Sequence, residues 1–278
     1  MDMTREIRIE EGKLKVVFEI QENGVVELKQ FDPAGRMDVK ERDRGEEDFY
    51  PITEVQITGR GTRGMHAYKH NVSGGATDFV YQSHEVLENE KGKELVIHTA
   101  AEYGVKGEYH MQFYPNVAAV QVWTTLKNEG TEEIGLEYVS SFIYQGLCQS
   151  GEKPYFEKTS IYTPHNSWDC ESQWRKNDCR EINLSGMAVN GFNTPGFGMN
   201  RYCYGGHSSW STCEYLPMGI CEDEECKVTY FFQVEHSGQW LIEYGPSTGE
   251  RLYVALSGAT ETEHGWWKNL KPGDTFTT

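Results

Sequence analysis

The sequence lacks the features of several large protein classes. No apolar run approaches the roughly 18 residues of a membrane-spanning helix, and the N-terminus MDMTREIRIEEGK has no apolar signal-peptide core. Positive charge is scarce, since 26 Lys and Arg stand against 43 Asp and Glu and give a formal net charge of −17. This charge opposes attraction to nucleic acid and to anionic lipid. We therefore expect no nucleic-acid partner, no membrane partner and a cytoplasmic location.

Catalytic motifs are missing as well. The chain has no G-x-S-x-G nucleophile elbow, no G-x-x-x-x-G-K-[ST] phosphate loop and no H-E-x-x-H pair. A glycosidase needs two carboxyl groups at a defined separation, and the sequence nominates no such pair among its many acidic residues. We predict no catalytic residue, no cofactor and no metal site within this chain.

The cysteine content does not indicate a disulfide framework. Seven cysteines, an odd number, occur without a secretory signal, which favours free thiols. They are Cys148, Cys170, Cys179, Cys203, Cys213, Cys221 and Cys226. None forms a C-x-x-C pair, and no H-x-x-x-H pair lies near them to complete a zinc site. Buried or surface thiols are the expectation, and a metal site is the weaker alternative.

Helical periodicity is absent, and strand periodicity takes its place. In GKLKVVFEI, the residues Leu14, Val16, Phe18 and Ile20 alternate with other side chains, and ENG then predicts a hairpin turn into VVELKQF. The same period of two recurs in YHMQF, VAAVQVWTTLK, KVTYFFQVE and RLYVALSG, with Gly-containing turns between. This pattern predicts an all-β fold, a large antiparallel β-sandwich with long loops. No linker or repeat divides the chain, so we expect one domain over residues 1–278.

Three segments depart from this alternation and predict long loops, and the first two are expected to be exposed to solvent. They are ERDRGEED (41–48), GRGTRGMHAYKHNVSGG (59–75) and YTPHNSWDCESQWRKNDC (162–179). The third carries Trp168 and Trp174, whose ring faces could stack on sugars. Trp and Arg are also enriched at the centres of subunit interfaces. A position near a substrate, a subunit interface and internal loop packing therefore remain open for this segment.

Five segments, in this order along the chain, resemble the N-terminal β domain of glycoside hydrolase family 36 α-galactosidases. They are FYPITEVQITG (49–59), DFVYQSHEV (78–86), WSTCEYLPMGI (210–220), YFFQVEHSGQW (230–240) and LYVALSGATETEHGWWKNLKPGDTF (252–276). The similarity runs from about Ile7 to the C-terminus. It implies a β-supersandwich that precedes a catalytic (β/α)8 barrel, and the barrel is absent from these residues. The strand that begins at Thr275 would then continue toward that barrel.

The resemblance also implies a function. Members of the family hydrolyse terminal α-galactosyl residues of raffinose-type oligosaccharides, with retention of configuration and without a metal cofactor, and both catalytic aspartates lie in the barrel. The chain alone is therefore predicted to be inactive. The resemblance implies that it serves in homo-oligomerisation and in shaping the active-site entrance of the full-length enzyme.

Candidate contact residues follow from the same comparison. His66, Lys69 and His70 in MHAYKH resemble an H-G-x-K-H loop found in part of the family, although RGTR precedes them where the family often has an acidic pair. Together with Trp168 and Trp174, they are candidates for substrate-proximal or interface contacts. The alternatives are an autonomous carbohydrate-binding module and a barrel-less enzyme with its own carboxylate pair.

Overall fold

The computed structural model describes residues 5–33, 50–63, 69–185, 200–247 and 251–278. Strands dominate these ranges, and helix is limited to one short α-helix, α1 (Glu261–His264), and two single 3-10 turns. In chain order the strands are β1 (Arg5–Glu11), β2 (Leu14–Ile20), β3 (Val26–Pro33), β4 (Val55–Ile57), β5 (Val80–Asn89), β6 (Gly92–Ala100), β7 (Val105–Phe113), β8 (Val120–Asn128), β9 (Ile134–Leu147), β10 (Thr159–Ser167), β11 (Cys170–Asp178), β12 (Tyr202–Gly206), β13 (Met218–Asp223), β14 (Val228–Gln233), β15 (Trp240–Ser247), β16 (Arg251–Gly258), β17 (Lys268–Leu270) and β18 (Thr275–Thr277). The predicted loop over 41–48 lies outside the described residues.

These strands form four sheets in which every pairing is antiparallel. The strand orders are β1-β2-β3, β11-β10-β13-β14, β12-β15-β16-β9-β17 with β4 also on β9, and β18-β8-β7-β6-β5. The long strand β9 pairs with β16 through one part of its length and with β4 and β17 through another, so it ties two parts of the fold together. The predicted all-β fold built from antiparallel sheets is confirmed.

The first hairpin shows how the sequence determines these elements. Val16 and Phe18 of β2 are fully buried, as the alternation predicts. The turn after β2 is fixed by Asn23, whose side-chain oxygen accepts a hydrogen bond of 3.0 Å from the backbone of Val25. Gly24 has φ of +85°, a conformation that glycine adopts without a steric penalty. The chain therefore reverses at this position and continues into β3.

A large aromatic core lies between the sheets. Its biggest fully buried side chains include Trp240, Tyr109, Tyr144, Tyr244, Phe18 and Phe113. The indole of Trp240 donates a hydrogen bond of 2.6 Å to the carbonyl oxygen of Ser211, so burial of this ring leaves its N–H satisfied. A second, smaller apolar cluster lies under β4 and β17 and includes Val55, Leu136 and Leu270. Each fully buried side chain of this size stabilises the fold by roughly 1.5–3 kcal/mol.

The expectation of a loop over residues 162–179 is wrong, because this segment is a two-stranded hairpin. Strands β10 and β11 pair from Ser160 opposite Asp178 to Ser167 opposite Cys170. Nearly every residue of β11 is exposed to solvent, so this strand has no buried face. Without a buried face there is no selection for alternating apolar residues. The strand therefore cannot be predicted from hydrophobic periodicity.

Candidate functional site

Exposed tryptophans lie on and beside the β10–β11 hairpin. Trp168 lies in the hairpin turn and is 80% exposed, whereas Trp174 on β11 is 37% exposed. Trp210 is 64% exposed and belongs to a neighbouring loop. The amide of Asn166 ties that loop to the hairpin by donating a hydrogen bond of 2.6 Å to the carbonyl oxygen of Thr212. The structure thus presents aromatic side chains on the surface of a strongly acidic molecule, a feature typical of interaction sites.

Polar contacts position this hairpin against β13 and the turn that follows it. The hydroxyl of Tyr162 donates a hydrogen bond of 2.7 Å to the carboxylate of Glu222, and the ammonium of Lys176 lies 2.7 Å from Glu224. Lys176 also lies over the Tyr162 ring, 5.6 Å from its centroid. Exposed ion pairs of this kind contribute at most about 1 kcal/mol, so the backbone ladder of the hairpin supplies most of its order.

Lys69 and His70 occupy a different environment. The segment 59–75 was expected to be an exposed loop, and this is wrong for residues 69–75, which are buried apart from the partly exposed Val72. We call the residues Lys69, His70, Arg201, Glu243 and Tyr253 the Glu243 cluster. His66 lies outside the described residues.

The carboxylate of Glu243 is the centre of this cluster. It accepts hydrogen bonds from the backbone N–H of His70 at 2.8 Å, from the hydroxyl of Tyr253 at 2.5 Å and from the guanidinium of Arg201 at 2.9 Å. Its second oxygen also lies 2.7 Å from Nδ1 of His70. Lys69 donates a hydrogen bond of 2.8 Å to the carbonyl oxygen of Pro246. The cluster thereby fastens residues 69–70 to β15 and β16.

Burial and charge act in opposite directions on the pKa values of these groups. Burial alone would raise the pKa of Glu243, but the interactions with His70 and the hydrogen bond from Tyr253 lower it to about 2. Burial lowers the pKa of Lys69 to about 8, and the nearby charge of Glu243 offsets only part of this effect. Glu243 therefore remains ionised at neutral pH and is saturated with donors, which suits an anchoring role rather than proton transfer.

Other buried carboxylates are held in a similar way. Glu54 accepts a hydrogen bond of 2.9 Å from the backbone N–H of Ser73, and Asp223 forms an ion pair of 2.9 Å with Lys158. Asp32 accepts a hydrogen bond of 2.6 Å from the hydroxyl of Tyr230. Neighbouring loops and strands contact these three carboxylates, but burial still raises the pKa values of Glu54 and Asp32 above the ordinary ones, in contrast to Glu243.

Neither a metal centre nor a membrane-spanning helix emerges from the described ranges. Within them, no group of three or more His, Cys, Asp or Glu side chains is placed to bind a metal ion. No helix in the same ranges is long and apolar enough to cross a membrane. All seven cysteines are free, as the sequence predicts.

Sequence reasoning missed Arg201, Glu243 and Tyr253. One signal could have indicated Glu243, because it is the only charged residue in the otherwise apolar stretch WLIEYGPS of β15. A single charge inside a strand that is buried on both faces requires a partner elsewhere in the chain. The sequence does not identify that partner, since His70 lies 173 positions away.

Comparison with known proteins gives a consistent result at the level of the fold. No protein-family model and no curated protein matches the sequence. The glycoside hydrolase family 36 α-galactosidase AgaB of Geobacillus stearothermophilus superposes with a TM-score of 0.70 at 13% identity, over 99% of this chain and 39% of that enzyme. An α-galactosidase of Lactobacillus brevis gives a TM-score of 0.67 at 11% identity, over 99% and 38% of the two chains. A galactose mutarotase-like protein of Lactobacillus casei gives 0.51 at 12% identity, over 98% and 97%.

The chain therefore shares the fold of the N-terminal domain of family 36 α-galactosidases, and the resemblance found in the sequence is confirmed at that level. It spans about 39% of the length of the first of these enzymes. At such low identity the likeness establishes the fold alone.

Proposed function

We propose that this chain is the non-catalytic N-terminal domain of an α-galactosidase, a retaining glycoside hydrolase that acts on α-galactosyl oligosaccharides. The observation that supports this proposal is the shared fold over 99% of this chain and only 39% of the similar enzyme. On this proposal the chain is one domain of a longer polypeptide, and a catalytic barrel that is absent from these 278 residues carries both catalytic carboxylates. The proposed location is the cytoplasm.

Within that enzyme, we assign this domain to oligomerisation and to shaping the active-site entrance. The exposed Trp168 and Trp174 support contact with another subunit or with substrate, because aromatic side chains dominate the energy of such contacts. Lys69 and His70 are buried and bonded to β15, so their part is to fasten residues 69–70 to that strand rather than to present their own side chains.

The experiment compares the 278-residue chain with the protein encoded by the complete reading frame of its source gene. We expect only the longer protein to hydrolyse p-nitrophenyl α-galactoside, because the covalent route needs both a nucleophile and an acid/base. The longer protein should also be an oligomer by analytical ultracentrifugation. Hydrolysis that copurifies with the 278-residue chain, or a reading frame that encodes no further domain, would contradict the proposal.

An autonomous carbohydrate-binding module is the second candidate. Two observations favour it: the exposure of Trp168 and Trp210, and the presence of this fold over 97% of the galactose mutarotase-like protein. Calorimetric titration with galactose, melibiose and raffinose distinguishes the candidates. On the first proposal a free sugar meets one wall of a site, so we expect no binding tighter than about 1 mM. A micromolar constant that is lost in folded Trp168→Ala or Trp174→Ala would establish the module instead.

A further inference from the structure

A large groove lies between β8 and β14, and none of the residues of the Glu243 cluster lines it. Its volume is about 1120 Å³, larger than the roughly 300–1,000 Å³ of ordinary small-molecule pockets. We call it the β8–β14 groove. Its lining includes all of β14, the residues Val120–Trp123 of β8, and Phe276–Thr278. No Lys or Arg lines it, whereas Asp32 and Glu235 do, so the lining does not suit an anionic ligand.

One wall of the groove is an open strand edge. Strand β8 pairs with β7 along its whole length, but β18 covers only Thr125–Lys127 on the other side. Thr124 donates its backbone N–H to the hydroxyl of Thr278 at 3.0 Å and accepts from the backbone N–H of Thr278 at 3.0 Å. Backbone groups of a strand alternate in direction, so those of Val120 and Val122 point the same way as those of Thr124. No described strand pairs with them there.

The opposite wall is a second open edge. Strand β14 is the last strand of its sheet and pairs only with β13 among the described strands. The backbone N–H of Val234 donates to the carbonyl oxygen of Pro217, toward the β13 side, at 2.8 Å. By the same alternation, the backbone groups of Phe231 and Gln233 point away from β13. Phe231 is also 56% exposed, which is unusual for a Phe on a regular strand.

A groove bounded by two strand edges that no described strand covers has the chemistry of a strand acceptor. Unpaired N–H and C=O groups in a row bind another backbone in extended conformation. Burial along β8 supports this interpretation. Leu126, which pairs with β18, and Thr124, which bonds to Thr278, are buried, whereas Val120 and Val122 are only partly buried. An added strand would complete the burial of the uncovered half.

We propose that the β8–β14 groove accepts an extended polypeptide segment, which pairs antiparallel with Val120–Trp123 in register with β18. The lining contains Asp32 and Glu235 and no Lys or Arg, so it disfavours an acidic segment, and pairing along a strand edge favours β-branched residues. The source of the segment rests on the proposed function: it belongs to the remainder of the same polypeptide in the parent enzyme. The acceptor property itself does not depend on that function.

The test lengthens the 278-residue chain by six residues at its C-terminus. One form carries alternating Thr and Val, and the matched control form carries alternating Gly and Ser. Thr277 and Thr278 already line the groove, so either extension can reach it. We expect the amide hydrogens of Val120 and Val122 to exchange at least about tenfold more slowly in the Thr/Val form than in the control, because exchange then requires the added strand to open. Thermal unfolding should shift upward in the same form.

A pair of proline variants separates pairing from a general change in stability. In Val122→Pro, the missing N–H is the one that points into the groove, so the Thr/Val form should lose its protection at Val120 while the unextended chain stays folded. In Gln121→Pro, the missing N–H faces β7, so both forms should be destabilised. Equal exchange at Val120 in the Thr/Val and Gly/Ser forms overturns the proposal. Protection in the unextended chain that rises with protein concentration also overturns it, because a second copy would then be the occupant.

Discussion

Replacing Glu243 by Gln removes the charge at the centre of the buried cluster while keeping the shape of the side chain. Glu243 is fully buried, and it binds three donor groups from His70, Tyr253 and Arg201 through hydrogen bonds of 2.5–2.9 Å. A Gln side chain keeps one acceptor oxygen, but its NH2 group would point at donors. We expect Glu243→Gln to lower the free energy of unfolding at pH 7 by about 3–5 kcal/mol, the usual cost of removing one partner of a buried charge pair.

The pKa of Glu243 gives a second value for the stabilisation that its charge provides. Its pKa is lowered from the ordinary 4.5 to about 2, and at about 1.4 kcal/mol per pKa unit this corresponds to roughly 3 kcal/mol of stabilisation. The folded-state pKa lies below the unfolded one, so this stabilisation is present above pH 4.5 and is lost as the pH falls toward 2. The wild-type chain should therefore lose more stability than Glu243→Gln between these pH values.

Urea unfolding followed by tryptophan fluorescence measures both effects. Glu133→Gln is the matched control, because Glu133 is exposed and its substitution should change the free energy by less than about 0.5 kcal/mol. The reasoning is refuted by a Glu243→Gln variant within 1 kcal/mol of the control at pH 7, or by parallel acid profiles for the variant and the wild type.

Two further substitutions test other buried contacts. Lys158→Met removes the partner of Asp223, with which Lys158 forms a buried ion pair of 2.9 Å, and should cost about 3–5 kcal/mol in urea unfolding. Lys153→Met at an exposed site is its control, and equal midpoints for the two would contradict this prediction. Gly205→Ala should cost about 1–3 kcal/mol, because a Cβ there would lie 2.3 Å from the carbonyl oxygen of Trp240 in the paired strand. An unchanged melting temperature for Gly205→Ala would show that the two strands can separate slightly without cost.

The sequence predicts strand faces well wherever one face is buried. In β14, Val228, Tyr230 and Phe232 were expected on one face, and all three are buried while Thr229 and Phe231 are exposed. Successive side chains of a strand point to opposite faces, so a strand with one buried face has alternating apolar and polar residues in its sequence. On the other face of β8, the indole of Trp123 stacks on the ring of His110, with 4.8 Å between the two ring centroids.

Two kinds of structure were not predictable from the pattern. An edge strand exposed on both faces, such as β11, has no apolar residues to alternate, so it resembles a loop. A buried polar contact joins residues from distant parts of the chain, and a local pattern carries no information about the partner. His70 was therefore placed in an exposed loop, although Glu243 binds it in the interior. Composition alone could not distinguish a solvated loop from one fastened by buried carboxylates.

The final prediction concerns Lys69, whose lowered pKa means that its protonated form destabilises the folded chain. Burial reduces its pKa from the ordinary 10.5 to about 8, so between these pH values the unfolded chain binds more protons than the folded one. Stability from this group therefore rises with pH across that window, by roughly 3 kcal/mol in total. Other groups also titrate there, because burial raises the pKa of Cys179 to about 12 and destabilises the folded state at high pH.

Comparison with Lys69→Met cancels those other groups, since both proteins contain them. We expect the difference in unfolding free energy, wild type minus variant, to increase by about 2–3 kcal/mol from pH 7 to pH 10. The variant also loses the hydrogen bond of 2.8 Å to the carbonyl oxygen of Pro246, but that loss is the same at every pH and does not affect the slope. Urea titrations of both proteins at four pH values under reducing conditions measure how this difference in unfolding free energy changes with pH. A difference that stays constant within 0.5 kcal/mol would show that Lys69 is solvated in the folded protein, and the burial of residues 69–70 would then be incorrect.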